Sequence, residues 1–139
     1  MRIFTDLEIA ATICLNARCA EVFSEAVKEL HRRGHEIAGH SYTQDLILPY
    51  LSLEQETDVI HRCSGIIQGV VGTRPVGWFR PVAAPTTETA GLLAEAGFLW
   101  HGDYNDTDLP YVLETGKGKL VAIPHSDFTD NRTLRSSPR

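Results

Sequence analysis

Several features of common functional classes are scarce or missing in this sequence. Among its 139 residues no apolar run approaches the ~20 that a membrane-spanning helix needs. Basic residues are outnumbered, with 13 Lys and Arg against 18 Asp and Glu, so the net charge is −5. A chain that grips a phosphate backbone needs a basic face, so neither nucleic acid nor membrane is an expected partner. Cysteines are few, Cys14, Cys19 and Cys63, and their spacing fits neither a zinc site nor a redox pair. They read as inert thiols, Cys14 in a buried strand and Cys63 on an apolar helix face, which points to a reducing, cytoplasmic setting. No internal repeat or low-complexity tract is present. Asp6 and Glu8 interrupt the apolar stretch that a secretion signal would require, so the first residues read as a surface segment leading into a strand.

At 42% hydrophobic and 22% charged, the composition is that of an ordinary globular chain. One domain is expected over residues 1–132, with 133–139 as a frayed polar tail. Helical spacing places Val22, Phe23, Ala26, Val27 and Leu30 on one face, closed by Gly34. Ser52 with Gln55 three residues on is a capping box, and Val59, Ile60, Cys63, Ile66, Ile67 and Val70 form the stripe of a long helix ending at Gly72. A third helix follows Pro85 from Thr86 or Thr87, burying Leu92, Leu93 and Ala96 before Gly97. Short apolar runs at Ile9–Leu15, Glu36–Gly39, Val76–Phe79, Phe98–Trp100 and Leu120–Ile123 alternate with these helices. Alternation implies parallel strands with right-handed crossovers, hence an α/β fold, either an open sheet or part of a (β/α) barrel.

In such folds ligands bind beyond the C-terminal ends of the strands. His40 and Ser41, Arg80, His101 with Asp103 and Asp106, and His125 all fall just past a predicted strand end. Imidazoles, a guanidinium and carboxylates at one rim are the groups that acid–base hydrolysis needs. A histidine protonates the leaving group, a carboxylate accepts a proton from water, and an arginine orients that carboxylate. Trp78, Trp100, Tyr104 and Tyr111 are candidates for stacking on a bound ligand, or for plain core packing.

The run Gly34–Thr43 (GHEIAGHSYT) resembles the second motif of the polysaccharide deacetylase (NodB-homology) family. Ala11–Asn16 resembles the strand before it, Trp78-Phe79-Arg80-Pro81 the third motif, Leu99–Asp103 and the following acidic loop the fourth, and Ile123-Pro124-His125 the fifth. The stretch through Leu109-Pro110-Tyr111 is closest to the allantoinase-like branch that hydrolyses small amides and imides. The resemblance implies a partial, deformed (β/α) barrel with parallel strands, and hydrolysis of a non-peptide carbon–nitrogen bond in carbohydrate or ureide metabolism. It assigns His125 as the general acid, Arg80 as the supporting arginine, Asp103 or Asp106 as the fourth-motif acid, and His40 as the one strongly matched metal ligand. Ser41, Gln44, Trp100 and His101 would complete a substrate-binding set.

Two departures shape the expectation. Gln44 stands where the second metal histidine belongs, and no Asp-Asp pair precedes Ile9. Asp6 lies too close to the next strand to replace that pair. The expected enzyme therefore lacks the family's first strand and helix and works without a cofactor on a small amide or carbohydrate; a weakly held divalent metal such as zinc is the alternative. The alternative to catalysis is a non-catalytic fragment of the same fold that binds or interacts. Its unpaired strand edges would favour homo-oligomers.

Overall fold

The structure is a computed structural model that describes residues 2–81 and 85–125; the predicted tail at 133–139 lies outside them. A short helix α1 (Arg2–Asp6) comes first, within the expected surface segment that leads into a strand. It ends on a backbone turn in which the Ile9 N–H reaches the Phe4 carbonyl at 2.9 Å and Glu8 takes a positive φ of 53°. Then follow β1 (Thr12–Leu15), α2 (Ala17–Val22), α3 (Ser24–Arg32), β2 (Glu36–Gly39), a 3₁₀ turn (Leu48–Tyr50), α4 (Leu53–Val71), β3 (Gly77–Trp78), α5 (Thr89–Glu95), β4 (Trp100–His101), β5 (Tyr111–Thr115) and β6 (Gly118–Ala122).

Local sequence explains most of these limits. The Ser52 hydroxyl accepts the Gln55 N–H at 3.3 Å while the Gln55 side-chain oxygen accepts the Ser52 N–H at 2.9 Å, closing the capping box that starts α4. Gly72, in the left-handed conformation, stops it. The first expected helix is in fact two. Phe23 leaves helical geometry (φ −120°, ψ 40°) and splits α2 from α3, so Val22, Phe23 and Ala26 face solvent. Ala17 and Ala20 are buried in their place, while Val27 is buried as expected.

The six strands form one sheet in the order β1-β2-β3-β4-β6-β5. All neighbours are parallel except the β5–β6 hairpin, an antiparallel pair in a region where only one strand was expected. The first four strands advance across the sheet in chain order. Right-handed crossovers that advance one way put their helices on the same face. The core lies there, where α2, α3 and α5 pack on α4 and Trp78, Cys63, Ile60, Ile67, Leu93 and Phe98 are buried. Cys14, expected to be buried, is exposed instead. It shares its face with Thr12, Glu36 and Trp100, away from the helices. There the Trp100 indole crosses Gly77, where a Cβ would overlap the ring, and donates to Glu36 Oε1 at 2.9 Å. The Thr12 hydroxyl donates to Glu36 Oε2 at 2.6 Å, so one carboxylate ties β1 to β4.

Candidate active site

The ladder runs one residue past three strand ends and thereby builds a rim. The Phe79 N–H reaches the Gly39 carbonyl (2.9 Å), Gly102 reaches Trp78 (2.9 Å), and Ile123 reaches His101 (2.8 Å). The His125 N–H bonds the Tyr104 carbonyl at 3.2 Å. His40, Phe79, Arg80, Asp103 and His125 consequently share the C-terminal edge of the sheet.

Part of this edge is sealed. Arg80, His101 and Asp103 are 2%, 1% and 4% exposed. The Arg80 backbone N–H donates to Asp103 Oδ1 at 2.9 Å, and its guanidinium Nε lies 3.4 Å from Oδ2, a charge contact outside hydrogen-bond geometry. His101 Nδ1 is 3.9 Å from the same oxygen, with the Tyr104 ring edge-on at 4.6 Å. Among the described residues the terminal guanidinium nitrogens and both ring nitrogens of His101 have no hydrogen-bond partner. Burial pushes the Arg80 pKa down, and the charges of Asp103 and then Glu56 oppose that shift.

The other part is open. The His40 ring stacks on Phe79 (centroids 6.0 Å apart) and the His125 ring meets Phe79 edge-on (5.0 Å). His40 Nδ1 bonds the Phe79 carbonyl, which only accepts, so Nδ1 carries the proton and Nε2 keeps a lone pair. Phe79 itself rests on Gly102, where a Cβ would overlap the ring. Ser41 turns inward at a positive φ of 60°, and its buried hydroxyl has no partner among the described residues. Its carbonyl accepts the Ala17 N–H at 3.0 Å and the Cys63 thiol at 3.6 Å.

Other proposed site residues fall elsewhere. Of the two fourth-motif candidates, Asp103 meets Arg80, whereas Asp106 is exposed and accepts the Tyr111 hydroxyl at 2.7 Å. Burial, then that bond, pushes Tyr111 up to about 12. Gln44 is exposed in a turn. Trp100 points along the sheet to Glu36 at the opposite ends of the strands, and Trp78 is core.

The model of the family described as polysaccharide deacetylase matches residues 1–100. The chain belongs to the polysaccharide deacetylase family. It is 27% identical over 121 residues to a peptidoglycan deacetylase of Helicobacter pylori, covering 84% of this chain and 40% of the relative. Among solved structures it resembles a putative polysaccharide deacetylase from Mycobacterium smegmatis (TM-score 0.84, 29% identity, 94% of this chain and 50% of that one). It also resembles a Puue allantoinase (TM-score 0.79, 29% identity, 90% and 41%). The chain thus spans half or less of the length of these relatives.

This deacetylase-family chain does not assemble a metal site from its described residues. No three His, Cys, Asp or Glu side chains converge there. His40 offers a suitable lone pair, but the residue four positions on is the exposed amide Gln44, a poor ligand beside imidazole. Two residues that bear on the site carry no strong signal in the sequence, Phe79 at the rim and Glu56 on α4. In the sequence Phe79 reads as one more residue of its motif, although Gly102, just past the neighbouring strand, is the signal that an aromatic ring covers it. Glu56 looked like any first-turn acid of a helix.

Proposed function

We propose that this chain carries the acid–base rim of a deacetylase-type amide hydrolase. Its substrate would be an amide or imide of a carbohydrate or small ureide, cleaved at a non-peptide carbon–nitrogen bond. The observation that carries this reading is the pair of imidazoles on either side of Phe79, set at the edge of a buried Arg80–Asp103 pair. His125, exposed at the rim, donates a proton to the departing nitrogen. The His40 Nε2 lone pair takes a proton from the attacking water. Arg80 is too buried to touch a substrate, so with Asp103 it holds the strand ends in place and lends positive potential to the site, where negative charge develops on the carbonyl oxygen.

The test is release of acetate from N-acetylated sugars, and ring-opening of cyclic ureides to the corresponding ureido acids, by the purified chain, with and without EDTA. Turnover that persists in EDTA and disappears in His125→Gln supports the reading. Activity abolished by EDTA and restored by zinc refutes the metal-free mechanism. A folded chain with no turnover on any of these amides refutes catalysis by this chain and leaves a binding role.

A further inference from the structure

Asn16 stands at the N-cap of α2, where an asparagine ordinarily turns its side chain onto the helix's own first N–H groups. Its side chain makes no such bond. It reaches across to the end of β2 instead and meets the His40 carbonyl. A carbonyl only accepts, so the atom that faces it is the Nδ2 amide, which donates. The first N–H groups of α2 are satisfied another way: Ala17 donates to the Ser41 carbonyl and Arg18 to the Tyr42 carbonyl, both at 3.0 Å. The chain just past His40 thus caps the helix, and the Asn16 amide is left for His40.

His40 is thereby tied to the end of β1 on both sides of its Cα. Its N–H donates to the Leu15 carbonyl at 3.0 Å, and its own carbonyl accepts the Asn16 amide. Peptide planes are rigid, so fixing both flanking peptides fixes the direction of the Cα–Cβ bond and with it the reach of the ring. From there His40 Nδ1 meets the Phe79 carbonyl and the ring stacks on Phe79. Ser41 follows at a φ of 60°, a backbone that a residue with a Cβ keeps only where its surroundings impose it. We propose that Asn16 is a positioning residue: through the His40 carbonyl it holds the imidazole in the tautomer and direction that leave Nε2 free to take a proton. The proposal rests on the hydrolase reading for its effect on turnover but not for the placement of the ring.

Asn16→Asp and Asn16→Ala, made in the full chain, test it. Aspartate is close in size and caps helices as well as asparagine, but its carboxylate cannot donate and repels the carbonyl. The structural readout is the pair of His40 ring ¹⁵N signals, assigned by their loss in His40→Gln and recorded well above the ordinary imidazole pKa of about 6.5. In the parent they should show the proton on Nδ1. In both variants they should move toward a mixture of the two tautomers, because the bond to Phe79 that selects Nδ1–H is loosened. A pure capping role predicts otherwise: Asn16→Asp would match the parent and Asn16→Ala would lose stability alone, and that result overturns the proposal. On active protein kcat should fall by about 100-fold in Asn16→Asp with KM little changed, as when a reacting group is displaced by about 1 Å. Should Asn16→Asp fail to fold, Asn16→Ala carries the test. Folded variants whose His40 ring signals superimpose on those of the parent overturn the proposal. Absence of turnover in the parent refutes the hydrolase reading alone, because the ring signals stand without it.

Discussion

The two sides of the sheet at its C-terminal edge hold similar chemical groups in opposite environments. Toward the helices lie Arg80, Asp103 and His101, almost without exposure, the arginine terminus and the imidazole without hydrogen-bond partners among the described residues. On the other side His40 and His125 flank Phe79, one half-buried and one exposed. Strand alternation makes the division: Trp78 pairs with His101 and faces the helices, so Phe79 and Gly102 face away. Charge on the sealed side has to be balanced within the fold, whereas on the open side it is balanced by water and stays free to exchange protons. The sealed side should therefore control stability and the open side turnover.

The largest expected effect breaks the sealed side. Asp103→Ala leaves the Arg80 guanidinium buried without its nearest counter-charge and removes the acceptor of its backbone N–H. Loss of one partner of such a pair costs about 3–5 kcal/mol. Urea unfolding should show that drop in stability. A loss under about 1 kcal/mol would mean that the pair is hydrated and that the two sides do not differ as described.

Next comes the open side. His125→Gln should alter stability by no more than about 0.5 kcal/mol, the usual range for substitutions at exposed positions. Where the chain turns over an amide, His125→Gln should lower kcat by about 10²-fold or more through loss of the proton donor. Unfolding curves and rates measured on the same samples separate the two effects. A His125→Gln protein that is severely destabilised but equally active would invert the comparison.

The acidic loop gives a smaller, pH-dependent test. Tyr111 is pushed up to about 12, first by burial and then by its bond to Asp106. A phenol of raised folded-state pKa binds its proton more tightly when folded. Its contribution to stability is thus present below about pH 10, the unfolded value, and is lost as pH rises toward about 12. Absorbance titration should show one tyrosine ionising late, and Asp106→Asn should bring that transition down. If Asp106→Asn leaves it in place, Asp106 is not spent on Tyr111 and regains a claim to the rim.

Much of this arrangement was legible in the sequence because the relevant signals are local. The Ser52–Gln55 box and Gly72 bracket α4, and Glu36–Gly39 is a strand with the limits predicted. The rim followed from strand ends, which placed His40, Arg80, Asp103 and His125 together. What stayed hidden depends on the third dimension. The break at Phe23 is a backbone conformation that apolar spacing does not encode. The hairpin partner β5 carries alternating residues, yet it hid in a stretch read as acidic loop and turn. Glu56 is separated from Thr86 and Thr89 by 30 and 33 positions, and only the packing of α5 on α4 joins them. Burial also divided the rim against expectation: Arg80 is a strand-end residue like His125, but its side chain turns toward the helices.

The cysteines give the mildest probe of the same division. Cys63, pressed against Ser41 beneath the rim, has its thiol pushed up to about 12, mainly by burial. Cys14 lies exposed on the helix-free side of the edge strand β1, and its pKa is raised by partial burial and then by Glu36. Thiolate is the reactive form, so both react slowly with iodoacetamide near pH 8, but only Cys14 is accessible. Mass spectrometry after brief labelling should find Cys14 modified and Cys63 intact until the chain unfolds. Equal labelling of the two would deny that the faces differ. Protection of Cys14 that grows with protein concentration, together with earlier elution on size exclusion, would show a second copy seated on the open face. Val121 and Ile123, exposed on the same face four strands across from the β1 edge, make that the face on which self-association is expected.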